Sequence, residues 1–263
     1  MPMSITSPRA FPIPTPAARP SNPAAGRFNG LLLVDKPAGL TSHDVVARIR
    51  RTFRIEKVGH GGTLDPGATG LLVMLLGKGT SLSNEVMGGD KRYEGEMLLG
   101  TETDSQDIDG QVVATLPFDL VTAEQLQARM NEFVGDSYQT PPMVSAIKKD
   151  GVPLYKLARK GQTVEREPRL IHIYRFNLLD FKPPLASFDV VCGKGTYVRT
   201  LCHDIGRKLG CGACLNALRR TASGTLDVAD ALPLDQILTL DGAALAARII
   251  PCFQYLDSKR TSQ

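Results

Sequence analysis

No apolar run in this 263-residue chain is long enough to cross a bilayer; the longest, such as "LLVMLLG" from Leu71, fall far short of the roughly 20 residues a spanning helix needs. The signatures of several large enzyme classes are missing too. "LGKGT" and "CGKGT" contain a Gly-Lys pair without the earlier glycine of a P-loop, and no H-E-x-x-H, G-x-S-x-G or dinucleotide-binding fingerprint occurs. Cysteines number five, an odd count with no secretory leader, which argues for reduced thiols. Cys211 and Cys214 have the spacing of half a zinc site, but a structural site needs four ligands. Apart from nearby His203 no second pair accompanies them, so we expect no metal and read the cysteines as small core residues. Residues 1–27 hold seven prolines and no acid, which excludes a helix, a strand and the continuous apolar core of a secretory signal. We read them as a disordered tail and expect a cytoplasmic, bacterial location.

What is present is an unevenly charged chain of ordinary globular composition. Its formal charge is only +4, yet Lys148–Arg175 has eight Lys/Arg against three Asp/Glu, and Cys192–Arg220 has six against one. Two basic segments on an otherwise acidic chain point to a polyanionic partner, because Lys and Arg neutralise phosphates and release counterions.

Order begins near Phe28. "GLLLVDKP" reads as a buried strand, and "TSHDVVARIRRTF" as a helix capped by Thr41 or Ser42 with Val45, Val46 and Ile49 inward. A strand follows over Leu71–Leu76, then "RYEGEMLLG" and "QVVATL". "TAEQLQARMNEFVG" has a Thr122–Gln125 capping box and a Gly135 stop. The next stretch, about 138–170, is polar, basic and proline-broken, with a short helix around Leu154–Arg159. Two strands, a helix over "TYVRTLCHDIGRKLG", a strand over "CLNALRRTASG" and helical material to about Ile249 complete the chain. Strands and helices mix without βαβ alternation, so the expected class is α+β around a largely antiparallel sheet.

The densest chemical signal is "GHGGTLDPGATG", residues 59–70, with Asp65 as its one carboxylate. Glycines let a ligand approach the backbone closely, and a carboxylate in such a loop can be held rigidly and stay ionised. The competing reading is an Asx turn. Arg199 stands near a helix start, where the dipole disfavours it; Asp65 is the obvious partner, and a solvated surface Arg is the competing reading. "DIDG" at Asp107–Gly110 has part of the spacing of a calcium loop but lacks the remaining ligands, so it reads as an acidic turn.

Together these segments resemble the TruB family of pseudouridine synthases: "GHGGTLDPGATGLL" its catalytic motif, "LLLVDKPAGLTSHDVV" its Lys-Pro motif, "DKRYEGEMLLGTETDSQDIDG" its tyrosine motif and "GTYVRTLCHDIGRKLG" its arginine motif. The resemblance covers about 28–240 and implies the pseudouridine synthase fold. It also implies conversion of a uridine in the tRNA T-arm loop to pseudouridine by one monomer, with no cofactor and no obligate protein partner. Carried over, Asp65 would be the catalytic aspartate, Arg199 its partner and Tyr93 the residue stacking on the flipped base. His60, Tyr197 and Leu218 would line the pocket. Lys148, Lys149, Lys156, Arg159 and Lys160 of a "thumb" insertion, with Arg219 and Arg220, would bind RNA. Three openings remain for Asp65: attack at C1′, attack at C6, or proton abstraction. Residues 241–263 are too few for a complete C-terminal PUA barrel, so we expect a short terminal segment there. A tRNA-folding chaperone and a guide-dependent synthase are the alternative functions.

Overall fold

The computed structural model describes residues 28–145, 147–149, 151–158 and 161–261. In chain order the strands are β1 (Gly30–Lys36), β2 (Val58–His60), β3 (Thr69–Leu76), β4 (Lys91–Leu99), β5 (Thr101–Thr103), β6 (Val112–Thr115) and β7 (Gly135–Gln139). They continue as β8 (Lys148–Lys149), β9 (Val152–Pro153), β10 (Arg169–Lys182), β11 (Leu185–Cys192), β12 (Ala213–Ser223), β13 (Leu226–Asp227) and β14 (Leu232–Pro233). The helices are α1 (Ser42–Phe53), α2 (Ser83–Gly88), α3 (Ala123–Asn131), α4 (Leu154–Ala158), α5 (Val198–Leu209), α6 (Leu234–Thr239), α7 (Gly242–Ala247) and α8 (Cys252–Thr261).

The main sheet runs β14-β1-β3-β12-β4-β11-β10-β7, with β2 beside β3 and β13 beside β12. Its pairings are antiparallel except β1 with β14 and β3 with β12. The expected mixed, largely antiparallel α+β architecture is therefore the one observed.

The unbroken apolar runs of β1 and β3 have a direct cause: both faces of these strands are buried. Leu32, Val34, Leu72, Met74 and Leu76 pack with Val45, Val46 and Ile49 of α1 and with Leu234 and Ile237 of α6. Leu31, Leu33, Leu71, Val73 and Leu75 point the other way, onto Val86 of α2 and Tyr255 of α8. A third cluster joins α3 and α5 to β4, β10, β11 and β12. Tyr93 and Leu218 touch both this cluster and the α1 cluster, so they stand at the seam between the two halves.

Both helix starts follow the sequence. Thr41 closes a capping box with Asp44, and Thr122 closes one with Gln125. α3 ends at Asn131, short of the expected Gly135 stop, because Phe133 and Val134 bond back to Met130 and Asn131 as turns and Gly135 opens β7. α8, like α2 and β7, is absent from the sequence reading. Ahead of it Ile250 exchanges backbone hydrogen bonds with Leu31, at 2.9 and 2.8 Å. Cys192, Cys202, Cys211 and Cys214 are buried, as core residues should be. Residues 1–27 lie outside the described residues.

Candidate active site

The Asp65 loop is fixed by side chains from three elements that hydrogen-bond to backbone in and around it. From the end of β1, the fully buried Lys36 points Nζ at the carbonyls of Pro37, Leu40 and Pro66, at 2.8, 2.8 and 3.2 Å. Burial lowers its pKa to about 8, with Asp65 opposing and Arg220 assisting. From α1, Ser42 Oγ donates to Leu64 O at 3.1 Å and accepts from Leu64 N at 2.9 Å. From β12, Arg220 donates Nε to Leu71 O at 2.7 Å and its terminal nitrogens to Thr63 O and Gly62 O at 3.3 and 3.2 Å.

Arg220 is only 2% exposed, which corrects its assignment to RNA binding. A guanidinium spent on three backbone carbonyls inside the protein cannot meet a phosphate. Two glycines of the motif also serve packing rather than the expected ligand approach. A Cβ on Gly70, at φ +95°, would sit 2.3 Å from the Arg220 carbonyl oxygen, and one on Gly61 would sit 2.2 Å from Val86.

Held this way, Asp65 presents its carboxylate to Arg199, with Oδ2 2.9 Å from Nε. Arg199 is 3% exposed while the Asp65 side chain is 43% exposed, so the acid opens to solvent and the cation supports it from behind. The rest of the Arg199 fork is occupied. One terminal nitrogen donates to Ser105 O at 2.8 Å and lies 3.4 Å from Asp107 Oδ2; the other donates to Val144 O at 2.9 Å. Two carboxylates thus share one buried arginine. Burial raises the pKa of Asp107, against the pull of a hydrogen bond from Ser105 and the charge of Arg199. The segment read as an acidic turn therefore contributes to the site. Its signal was the resemblance of "TDSQDIDG" to the tyrosine motif, not its spacing.

The remaining pocket candidates converge from β4, β12, β2 and α5. Tyr93 pairs across the sheet with Arg220 and is hydrogen-bonded to it. Burial raises the pKa of its phenol, so it stays neutral. Leu218 lies beside it, opposite Gly95. Tyr197 precedes the first turn of α5, and burial raises its pKa as well. His60 closes β2, half-buried; burial first, then Arg220 and His43, lower its pKa and favour the neutral imidazole.

Gln139, which sequence reasoning missed, ties this wall together. Its buried amide accepts from Tyr197 N at 2.8 Å and donates to Tyr197 O at 3.1 Å. A lone Gln in a polar, proline-rich segment gives no periodic signal. The expected RNA contacts are less uniform. Lys156 is exposed on α4. Arg219 is partly open but forms a bidentate pair with Asp35 at 2.9 and 2.7 Å. The side chains of Lys148 and Lys149, and all of Arg159 and Lys160, lie outside the described residues. Among the described residues no group of His, Cys, Asp and Glu is arranged to hold a metal ion, and no helix is long and apolar enough to cross a membrane.

Comparison with known proteins matches residues 50–198 to the model of the TruB family pseudouridylate synthase N-terminal domain. Residues 199–256 match the tRNA pseudouridylate synthase B C-terminal domain. The two matches meet inside α5. A tRNA pseudouridine synthase B from Opitutus terrae is 55% identical over 227 residues, 86% of this chain and 94% of that protein. One from Syntrophotalea carbinolica is 54% identical over 210 residues, 80% and 69% of the two chains. Among solved structures, a chain of a Cbf5-Nop10-Gar1 complex aligns with TM-score 0.67 and 29% identity. The alignment covers 86% of this chain and 60% of that one, so the present chain spans less than two thirds of its solved neighbour.

Proposed function

This chain belongs to the TruB family of pseudouridylate synthases, and we propose that it isomerises one uridine in the T-arm loop of tRNA with Asp65 as the essential carboxylate. It is a tRNA pseudouridine synthase, an isomerase. The N1–C1′ bond breaks, the uracil turns, C5 joins C1′, and the proton lost from C5 is balanced by one gained at N1. Substrate and product contain the same atoms.

The observation that carries the assignment to Asp65 is the pairing of a solvent-exposed carboxylate with a buried arginine at 2.9 Å. Such a pair sets the orientation of the acid before substrate arrives, and pre-set geometry supplies much of an enzyme's advantage. The target base must leave the stack to reach it. Tyr93 then offers a ring to stack on, as splayed RNA bases require, with Leu218 and Tyr197 as the walls. A neutral Tyr93 phenol both donates and accepts, so it can pass a proton without becoming a phenolate. The insertion at about 138–170 grips the stem, and its root reaches the chemistry through the Val144 carbonyl on Arg199. The chain works in the cytoplasm as a single protomer without a protein partner.

The likeness to Cbf5 keeps a guide-dependent reading in view. The test is nucleotide-resolution pseudouridine mapping after the purified chain is mixed with a bare tRNA transcript, without metal, nucleotide or guide RNA. We expect one modified uridine in the T-arm loop. Product elsewhere overturns the substrate assignment, and product only with a guide RNA assembly overturns the stand-alone reading.

A further inference from the structure

The solvent face of α1 carries cations that the proposed reaction does not use. Residues 48–57 contain Arg48, Arg50, Arg51, Arg54 and Lys57 against Glu56 alone, a net charge of +4, equal to the formal charge of the whole chain. Counting the chain outside the two basic segments as a single acidic remainder hides this third one. All five side chains are exposed. Exposed Lys78 is brought alongside, because its neighbour Gly77 donates to Lys57 O at 2.9 Å. Arg48 and Arg51 are i, i+3 neighbours in one row along the helix, and Arg54 follows as its C-cap in a left-handed conformation. Carboxylates near these cations are few: exposed Glu56 precedes Lys57, Asp44 is engaged in the α1 cap, and Asp235 lines a shallow depression with Arg48.

The row is also aimed. The first turn of α1 is bonded to the active loop through Ser42 and Leu64, and His43 lies near enough to His60 to affect its charge. At 1.5 Å per residue from Ser42, Arg48 stands about 9 Å along α1 and the helix end at Phe53 about 16 Å along it. In the sheet order α1 covers the β1–β3 end, while the Lys148–Arg169 insertion leaves from β7 at the other end.

We propose that the exposed face of α1, with the Arg54–Lys57 turn, is a phosphate-binding rail for the RNA strand leaving the cleft, on the wall opposite the insertion. The inference rests on the tRNA reading above. RNA fits this face better than a membrane surface does. Its other exposed positions are His43, Asp44, Ala47 and Thr52, whereas interfacial helices insert Trp, Phe or Leu.

The test measures binding of a tRNA transcript from about 50 to about 200 mM salt. Losing a phosphate contact lowers the slope of log affinity against log salt by about 1. For Arg48→Ala/Arg51→Ala/Lys57→Ala the slope should fall by about 2–3. Its affinity gap to the parent chain should then shrink roughly 15- to 60-fold across that range. Arg48→Lys/Arg51→Lys should keep the parent slope, and so should Lys182→Ala at the far end of β10. If the triple variant fails to fold, Arg51→Ala and Lys57→Ala singly should each lower the slope by about 1. Unchanged slopes overturn the rail. So does loss of binding to phosphatidylglycerol vesicles with RNA binding intact. A parent chain that neither binds tRNA nor forms pseudouridine defeats the underlying reading instead, and the two failures are separable.

Discussion

Replacing Arg220 with methionine tests how the catalytic loop is held. Methionine roughly fills the space, so the main effect is on polar groups: the carbonyls of Gly62, Thr63 and Leu71 lose their donor inside the protein. An unsatisfied buried group costs about 1–3 kcal/mol. Burying a guanidinium carries a desolvation cost of several kcal/mol that the variant no longer bears, which offsets part of the sum. Three such carbonyls sum to about 3–9 kcal/mol, and the offset brings the expected net loss to about 3–5 kcal/mol. At about 2–4 °C per kcal/mol for a chain this size, Tm should fall by about 6–20 °C. The loop is then held only by Lys36 and Ser42, and a misplacement of about 1 Å is enough to lower single-turnover rate about 100-fold. Thermal melts and single-turnover pseudouridine formation on a T-arm stem-loop measure both. The salt dependence of RNA binding should not change. An Arg220→Met protein within about 0.5 kcal/mol of the parent, with a salt slope reduced by about 1, would restore Arg220 as a phosphate contact and refute the burial argument.

Other consequences follow from the same contacts. Gln139→Leu removes two bonds to the Tyr197 backbone, about 1–3 kcal/mol, and should lower kcat about 5- to 150-fold at nearly constant KM; a change in KM alone contradicts the positioning role. Gly70→Ala drives a Cβ into the Arg220 backbone at positive φ and should cost about 3 kcal/mol or more in urea unfolding, whereas Gly88→Ala, with nothing within 4 Å, should be neutral or stabilising by about 0.5–1 kcal/mol. Lys91 caps the end of α2 through the carbonyls of Val86, Met87 and Gly89, and burial lowers its pKa from 10.5 to about 8. Between those values the unfolded chain binds more protons than the folded one, so the parent should gain stability relative to Lys91→Met as pH rises from about 8 to 10.5; the opposite slope is incompatible with the shift.

Elements defined by local pattern were legible in the sequence. The Thr41 and Thr122 caps, the Val45–Val46–Ile49 stripe and the two-faced apolar strands each depend on residues a few positions apart. The Asp65–Arg199 pair was legible for a different reason: a carboxylate in a rigid loop and an arginine against a helix dipole only suggested it, and the ordered set of family motifs on which both residues fall raised it. Arg220 was not legible, because charge counting treats every arginine as solvated and its acceptors lie about 150 residues earlier. Gln139 failed similarly, since its partner is a backbone 58 residues away. α8 buries one large side chain, Tyr255, among polar neighbours, which leaves no helical stripe to see.

The most direct measurement is the single-turnover yield of Asp65→Asn on a T-arm stem-loop, taken with its RNA affinity. Asparagine keeps the shape of the side chain and removes the charge that Arg199 supports. The account predicts affinity within a few-fold of the parent and no pseudouridine. Product at a rate near that of the parent would place the chemistry on another residue.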